Sequence, residues 1–459
     1  MLPGRQLRRG ACALALWLVR AFPVAAADTR PLHEESFTLA AAGEVVAALR
    51  ASCAGCDWGR RGREAAALEL RVDGRYSQHV LLTRGETLAD YRVALGPLAE
   101  GRHTLAIAFD NVASAREIHG AAVASVAIEP LAPGSPEATA LARAPILHAR
   151  PNTLGHFSDV PLVMWYERDE TPRGERLRYS VVFSNEDGGT PSDRLMATWG
   201  RLTDIEYVYG VERDKNGRVI AEEYQAKDHA LLGFSGAHEG AHPVLYVATD
   251  NNMLAERGES TLRFAPAPVG FALQGVSREA VMDAHPFTYQ VSAREARREE
   301  RVDDQARPGY RKIPDPRRFA TLEACAATQD ATIAFSVGVR SRGGALVWFD
   351  SDYGLKNFRI GRRASEFPNG CFRGAAALAK DVKPDEIVAL RFRAFTRLPG
   401  KGEQALPPGS GSARLRSVNT LFLLGPDDLP GTRLLSWQGD VPLEPDGPPH
   451  ELLLKPPPL

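Results

Sequence analysis

The feature that most constrains this chain is an alternation of apolar and polar side chains, recurring in short runs and cut each time by glycine, aspartate or proline. Between Ser36 and Pro130 it passes through Leu68–Val72, Tyr91–Leu95, His103–Phe109 and Val123–Ile128, with Asp73-Gly74 and Glu100-Gly101 as punctuation. Successive strand side chains point to opposite faces, so these runs read as half-buried strands, and the glycines supply the positive φ of tight hairpins. Similar runs return at Val160–Tyr166, Leu177–Ser184, Asp204–Val211, Val219–Ala226 and His242–Thr249, and again from Thr332 to Gln438. No helical stretch between the central strands is long enough for repeated parallel crossovers. The expectation is an all-β protein of tandem antiparallel β-sandwich domains with few helices.

A chain of 459 residues exceeds one ordinary core, and two to four domains of about 100–200 residues are expected. Residues 1–27 read as an export signal: Arg5, Arg8 and Arg9 precede an apolar run from Ala11 to Val19, and Ala25-Ala26-Ala27 fits a small-residue cleavage site. Residues 28–130 form the first sandwich, of jelly-roll or carbohydrate-binding-module type, and the Pro- and Gly-containing stretch 131–142 is a linker. A central β-sandwich domain spans 143–263. Residues 264–316 are a linker and charged connector, in which 293–304 reads as a solvated face with internal ion pairs. A C-terminal β-rich domain with a Pro-rich tail fills 317–459. The 56 basic and 57 acidic residues leave a formal charge of -1, so nothing draws the chain to nucleic acid. No later run reaches the roughly 20 apolar residues of a membrane-spanning helix. The expected location is secreted or periplasmic.

Beyond the signal, Cys53, Cys56, Cys325 and Cys371 are an even set in an oxidising compartment. Of the three pairings, Cys53–Cys56 and Cys325–Cys371 keep each bridge inside one domain. A redox role for the first pair needs a helix N-terminus after it, and Asp57-Trp58-Gly59-Arg60 reads as a loop.

Chemistry-bearing residues concentrate between Trp199 and Asn252. At strand period, Ile205, Tyr207, Tyr209 and Val211 share the core side, while Asp204 and Glu206 stand together on the other. The following segment adds Asp228, His229, His238, His242 and Asp250. Two same-face carboxylates about 7 Å apart clamp a hard cation or act as acid and base; the bland alternative is an ion pair with Arg201. The metal candidates are Asp204, Glu206, His229 and His242, for calcium or magnesium, with Arg201, Asp228, His238 and Asp250 as further ligand-binding candidates. His238-Glu239-Gly240-Ala241-His242 satisfies H-E-x-x-H, but Gly236, Gly240 and Pro243 oppose the helix that a zinc peptidase needs. Asp350-Ser351-Asp352-Tyr353-Gly354 reads as an acidic turn rather than a calcium loop, lacking the downstream Glu.

Ala144-Pro145-Ile146-Leu147-His148, Asp159-Val160-Pro161, Tyr179–Phe183 with Asn185, Asp204-Ile205-Glu206 and His242–Ala248, in that order, resemble the vacuolar protein sorting 62 family. More distantly the layout is similar to the necrosis-inducing cytolysins, whose G-H-R-H-D-W-E motif holds a divalent cation in a β-sandwich. Here Gly200–Glu206 retains the two acids, but Arg201 and Thr203 replace the histidines and Ile205 the tryptophan. The resemblance implies a β fold and a site location, and no activity.

The leading expectation is a non-enzymatic binding or surface protein whose partner is a carbohydrate or other cell-surface ligand. For sugar stacking, Trp58, Tyr76 and Tyr91 are the candidate aromatics, with core packing as the competing role. The alternative is a secreted hydrolase of glycan or ester using Asp204, Glu206 and His242.

Overall fold

A computed structural model describes residues 31–150, 153–309, 311–341, 343–361, 370–400 and 402–454. The stretch read as an export signal, 1–27, and the final Pro-rich residues lie outside the described residues. Hairpin punctuation between residues 31 and 130 yields seven strands: β1 (His33–Leu39), β2 (Gly43–Ser52), β3 (Ala67–Val72), β4 (Arg75–Leu81), β5 (Ala89–Leu98), β6 (Gly101–Asp110) and β7 (Ala122–Pro130). They form two antiparallel sheets, ordered β1-β6-β3-β4 and β5-β2-β7, which close on Leu49, Leu68, Leu70, Leu105, Ile107 and Trp58. The Cys53–Cys56 bridge clips the loop that follows β2.

The stretch expected as a linker carries a helix, α1 (Pro136–Arg143), capped by the Ser135 hydroxyl. Leu141 packs with Val46, Ala94 and Ile146, and the Ala140 carbonyl accepts the Tyr179 hydroxyl, so buried contacts hold what composition marked as a connector.

The central strands are β8 (Ile146–His148), β9 (Pro161–Thr171), β10 (Gly174–Phe183), β11 (Asp204–Asp214), β12 (Val219–Ala226), β13 (Ala230–Gly233), β14 (His238–Glu239), β15 (His242–Val247), β16 (Leu254–Ala255), β17 (Arg263–Phe264) and β18 (Val269–Gly270). They hydrogen-bond into one sheet, β17-β8-β15-β16-β12-β11-β10-β9-β18, with β13 on β12 and β14 on β15. Between β8 and β11 lie the short α2 (Thr153–His156) and α3 (Ser192–Trp199). Gly200 ends α3 at φ +61°, where a Cβ would meet Arg373 Cγ at 2.8 Å, and from there the chain enters β11.

After the sheet come α4 (Ala280–Ala284) and α5 (Phe287–Arg298). The charge run expected to be solvated is buried along α5: Glu295 accepts the Trp58 indole N–H at 2.9 Å. Arg298 donates to the carbonyls of Trp58 at 3.0 Å and Phe157 at 2.8 Å. Each buried charge has polar partners from other segments, which is what makes its burial tolerable. The C-terminal strands, Phe319–Leu453, stack as a four-stranded and a five-stranded sheet around Phe335, Phe392, Leu415 and Leu421. Cys325 and Cys371 face each other across neighbouring strands and are bridged. The fully buried Arg373 fastens this domain to the helices, donating to Asp283 at 2.9 Å and 2.6 Å, to Glu323 at 2.8 Å and to the Tyr289 hydroxyl. The all-β class holds throughout.

Candidate functional site

The alternation expected along β11 breaks at Val208. Tyr179 pairs with Tyr209 but its neighbour Ser180 pairs with Tyr207, so Val208 is an extra, bulged residue. Ile205 faces Val163, Trp165 and Val182, whereas Val208, Tyr209 and Val211 join Val181, Phe183 and Tyr179 on the other side. Asp204 and Glu206 pair with Phe183 and Val181. The two carboxylates therefore share a face with each other, as expected, but it is the face of an apolar cluster. Tyr209 and Val211 stand on that same side, because the bulge shifts the alternation by one residue.

Both acids are buried, and water is replaced by few partners. Asp204 Oδ2 accepts the Asn252 amide at 2.9 Å, and Oδ1 lies 3.8 Å from Arg201. Arg201 is itself engaged by the Thr203 carbonyl and by Glu279 at 3.2 Å. Glu206 accepts the Gln225 amide, with the exposed His229 imidazole 3.9 Å away. Burial, opposed by Arg201, raises Asp204 above the usual carboxylate range; burial and the neighbouring Asp204 charge push Glu206 well above it.

Two further acids, missed in the sequence, belong to this buried group. Glu186 is pushed up to about 8 by burial and by Asp204. Asp159 reaches about 9 through burial and the Asp187 charge, although Arg150 opposes the shift. Arg150 is shared, donating to Asp159, Asp250 and Asp187. At the centre stands Asn252, 0% exposed. Its Nδ2 donates to Asp204, to the Asn185 carbonyl at 3.2 Å, and reaches Asp159 Oδ1 at 3.5 Å. Those acceptors fix the amide's orientation, and its Oδ1 is buried with no hydrogen-bond partner. The Thr249–Asn252 turn brings the side chain there: Asn252 takes φ 56° and its N–H donates to the Thr249 carbonyl at 3.1 Å. Asp159 likewise has φ 54°. Asp-Asn-Asn after a strand and Asp159 two residues before Pro161 are the signals that could have been read, since Asn and Asp tolerate the left-handed region.

The remaining sequence candidates are scattered. His242 is buried, with Nδ1 2.9 Å from the Ala144 carbonyl and Nε2 3.1 Å from Glu44 of the first sandwich. Its partners are not those of Asp204 and Glu206, so the acid–acid–imidazole set of a hydrolase is not brought together. His238 contacts Glu222 at 2.9 Å, Glu239 pairs with Arg263 at 2.8 Å, and residues 238–242 run strand, turn, strand. Without a helix, the two histidines cannot share the i, i+4 face that a zinc peptidase requires. Asp228 is exposed at φ 61°, and Asp250, largely exposed, pairs with Arg150. In the acidic turn, Asp352 accepts Gly354 N–H and Arg359, and Asp350 accepts Ser336.

The aromatic candidates for sugar stacking are packed: Trp58 is fully buried. Tyr76 and Tyr91 are half-buried, their hydroxyls accepting the backbone N–H of Arg263 and Arg84. Among the described residues no helix is long and apolar enough to cross a membrane.

No protein-family model matches the chain, and no curated protein matches it. Solved structures with local similarity include a sugar-binding protein, the EclA C-terminal domain, at 17% identity over 22% of this chain and 68% of that one, TM-score 0.18. A family 35 carbohydrate binding module from an environmental isolate matches at 17% identity over 22% of this chain and 69% of that one, TM-score 0.16. Overlaps this slight carry nothing into the functional reading.

Proposed function

We propose that this is a non-enzymatic, exported binding protein whose central domain takes up one hard divalent cation, calcium or magnesium, among the buried acids around Asp204. The observation that carries this is Asn252: a wholly buried amide between two carboxylates, with its carbonyl oxygen left without a donor. A cation satisfies that oxygen and neutralises Asp204, Glu206 and Glu186 together, through the oxygen donors that calcium and magnesium prefer. The acids do not already form a tight cage, so the ion has to draw them in. His242 has no part in this group, and His229 reaches only its rim at Glu206. The resemblance of the central stretch to the vacuolar protein sorting 62 family belongs to the same proposal. The first sandwich is the region proposed to meet a carbohydrate or other cell-surface ligand.

The test is the melting temperature of chelator-stripped protein with calcium, magnesium or neither. At a hundredfold excess over the dissociation constant, a cation bound only by the folded state adds about 2.7 kcal/mol. Asn252→Ala and Asp204→Asn should each abolish the shift. No shift with either ion in the unmodified protein removes the cation from the reading.

A further inference from the structure

A second group of metal-type donors lies in the first sandwich, away from the buried acids. Glu69 of β3 stands directly opposite His79 of β4. Asp110, at the end of β6, is two residues beyond Ala108, the β6 partner of Glu69, so strand periodicity sets all three on one face. Taking one ligand atom from each residue, these atoms all lie within 4.8 Å of one another. The imidazole is buried, while the Glu69 and Asp110 side chains each keep 24% exposure, so the group opens to solvent on its carboxylate side.

The surrounding contacts orient these donors. Asp110 Oδ1 accepts the backbone N–H groups of Val112 at 2.8 Å and Ala113 at 3.0 Å, which turns Oδ2 toward His79 Nε2, 3.0 Å away. The other imidazole nitrogen, Nδ1, is 2.7 Å from the Tyr76 hydroxyl. That hydroxyl also accepts the backbone N–H of Arg263, from β17 of the central domain, at 3.3 Å. A histidine held at one nitrogen by such a partner has its tautomer and ring plane set for a metal at the other. Arg71 holds Glu69 Oε1, but its side chain is 47% exposed, and a solvent-facing pair of this kind is given up at small cost.

We propose that Glu69, His79 and Asp110 bind a divalent transition metal of zinc type, through one nitrogen and two carboxylate oxygens, with a further position open to water or an external ligand. One imidazole and two carboxylates suit zinc better than calcium, which takes six to eight oxygens. With metal on Nε2 the imidazole stays neutral and carries its hydrogen on Nδ1. Tyr76 then accepts that hydrogen on one lone pair and the Arg263 N–H on the other, so the loaded site also fastens the sandwich to the central sheet.

The experiment is calorimetric titration of the metal-stripped full chain with zinc chloride, repeated for Glu69→Gln, His79→Gln and Tyr76→Phe. One zinc ion per chain is expected, and each ligand substitution should weaken its binding at least about tenfold. Tyr76→Phe should weaken it about 10- to 100-fold, the range for outer partners of metal ligands. Cobalt in place of zinc should give visible ligand-field bands that His79→Gln removes. Glu69→Gln, at a side chain 24% exposed, keeps the fold testable by circular dichroism should His79→Gln unfold the domain. Asp204→Asn must leave zinc binding unchanged, so failure here is distinct from failure of the calcium site. Absence of zinc binding, or binding equal in all three variants, overturns the site and leaves an ordinary cross-strand histidine–carboxylate pair.

Discussion

Arg373 and Asp204 are both buried charges, yet their surroundings are of opposite kinds. Around Arg373 the cation meets Asp283, Glu323 and the Tyr289 hydroxyl, and Glu323 is further held by Ser277 at 2.7 Å and Asn419 at 3.0 Å. Around Asp204 the acids outnumber their partners: Arg150 is divided among three carboxylates, and Arg201 is shared with Glu279. In a low-dielectric interior a charge persists where its counter-charge and hydrogen bonds are supplied on the spot. Where they are not, the group keeps its proton or takes a cation. The first arrangement holds segments together, and the second leaves buried acids short of counter-charge.

The largest effect expected from this contrast belongs to Arg373→Met. Removing the cation from this paired network leaves Glu323 without its counter-charge and should cost about 3–5 kcal/mol in chemical denaturation; a loss below about 1 kcal/mol erases the distinction between the two regions. Asp204→Asn should move the metal-free protein the other way, stabilising it on the order of 1 kcal/mol at pH 8 by deleting a crowded buried charge. Destabilisation without metal would mean that the acids are already balanced.

Next is the pH profile. Glu186 and Asp159 stand at about 8 and about 9 when folded, against ordinary values of 4.5 and 3.8. Between those limits the folded state binds more protons than the unfolded one. The stability these groups contribute is therefore present at acid pH and lost as pH rises through 8 to 9. Melting temperature of stripped protein should fall from pH 5 to pH 9, and saturating calcium should flatten the fall. A flat profile without metal counts against the crowding. The smallest effect sets the baseline: Arg414→Ala breaks an exposed pair with Asp440 and should leave the melting temperature unchanged.

Much of the architecture was legible from local pattern. Period-two runs and Gly turns marked four of the seven strands of the first sandwich, β3, β5, β6 and β7, and both disulfides join the expected cysteines. Helix α5 was misplaced for a reason: Glu295 and Arg298 look solvated in the sequence, and partners that bury them come from Trp58 and Phe157, more than a hundred residues away. His242 shows the same limit, because Glu44 lies 198 positions away.

The amino-acid order by itself determined strand periodicity, turn sites, cysteine parity and the shared face of Asp204 and Glu206, since each depends on neighbours a few residues apart. Tertiary structure alone decided which apolar layer covers that face, where the bulge at Val208 reverses the alternation, and that Asn252, Glu186 and Asp159 close around the pair. Desolvation and charge crowding are properties of what surrounds a group in space, and those surroundings come from distant segments of the chain.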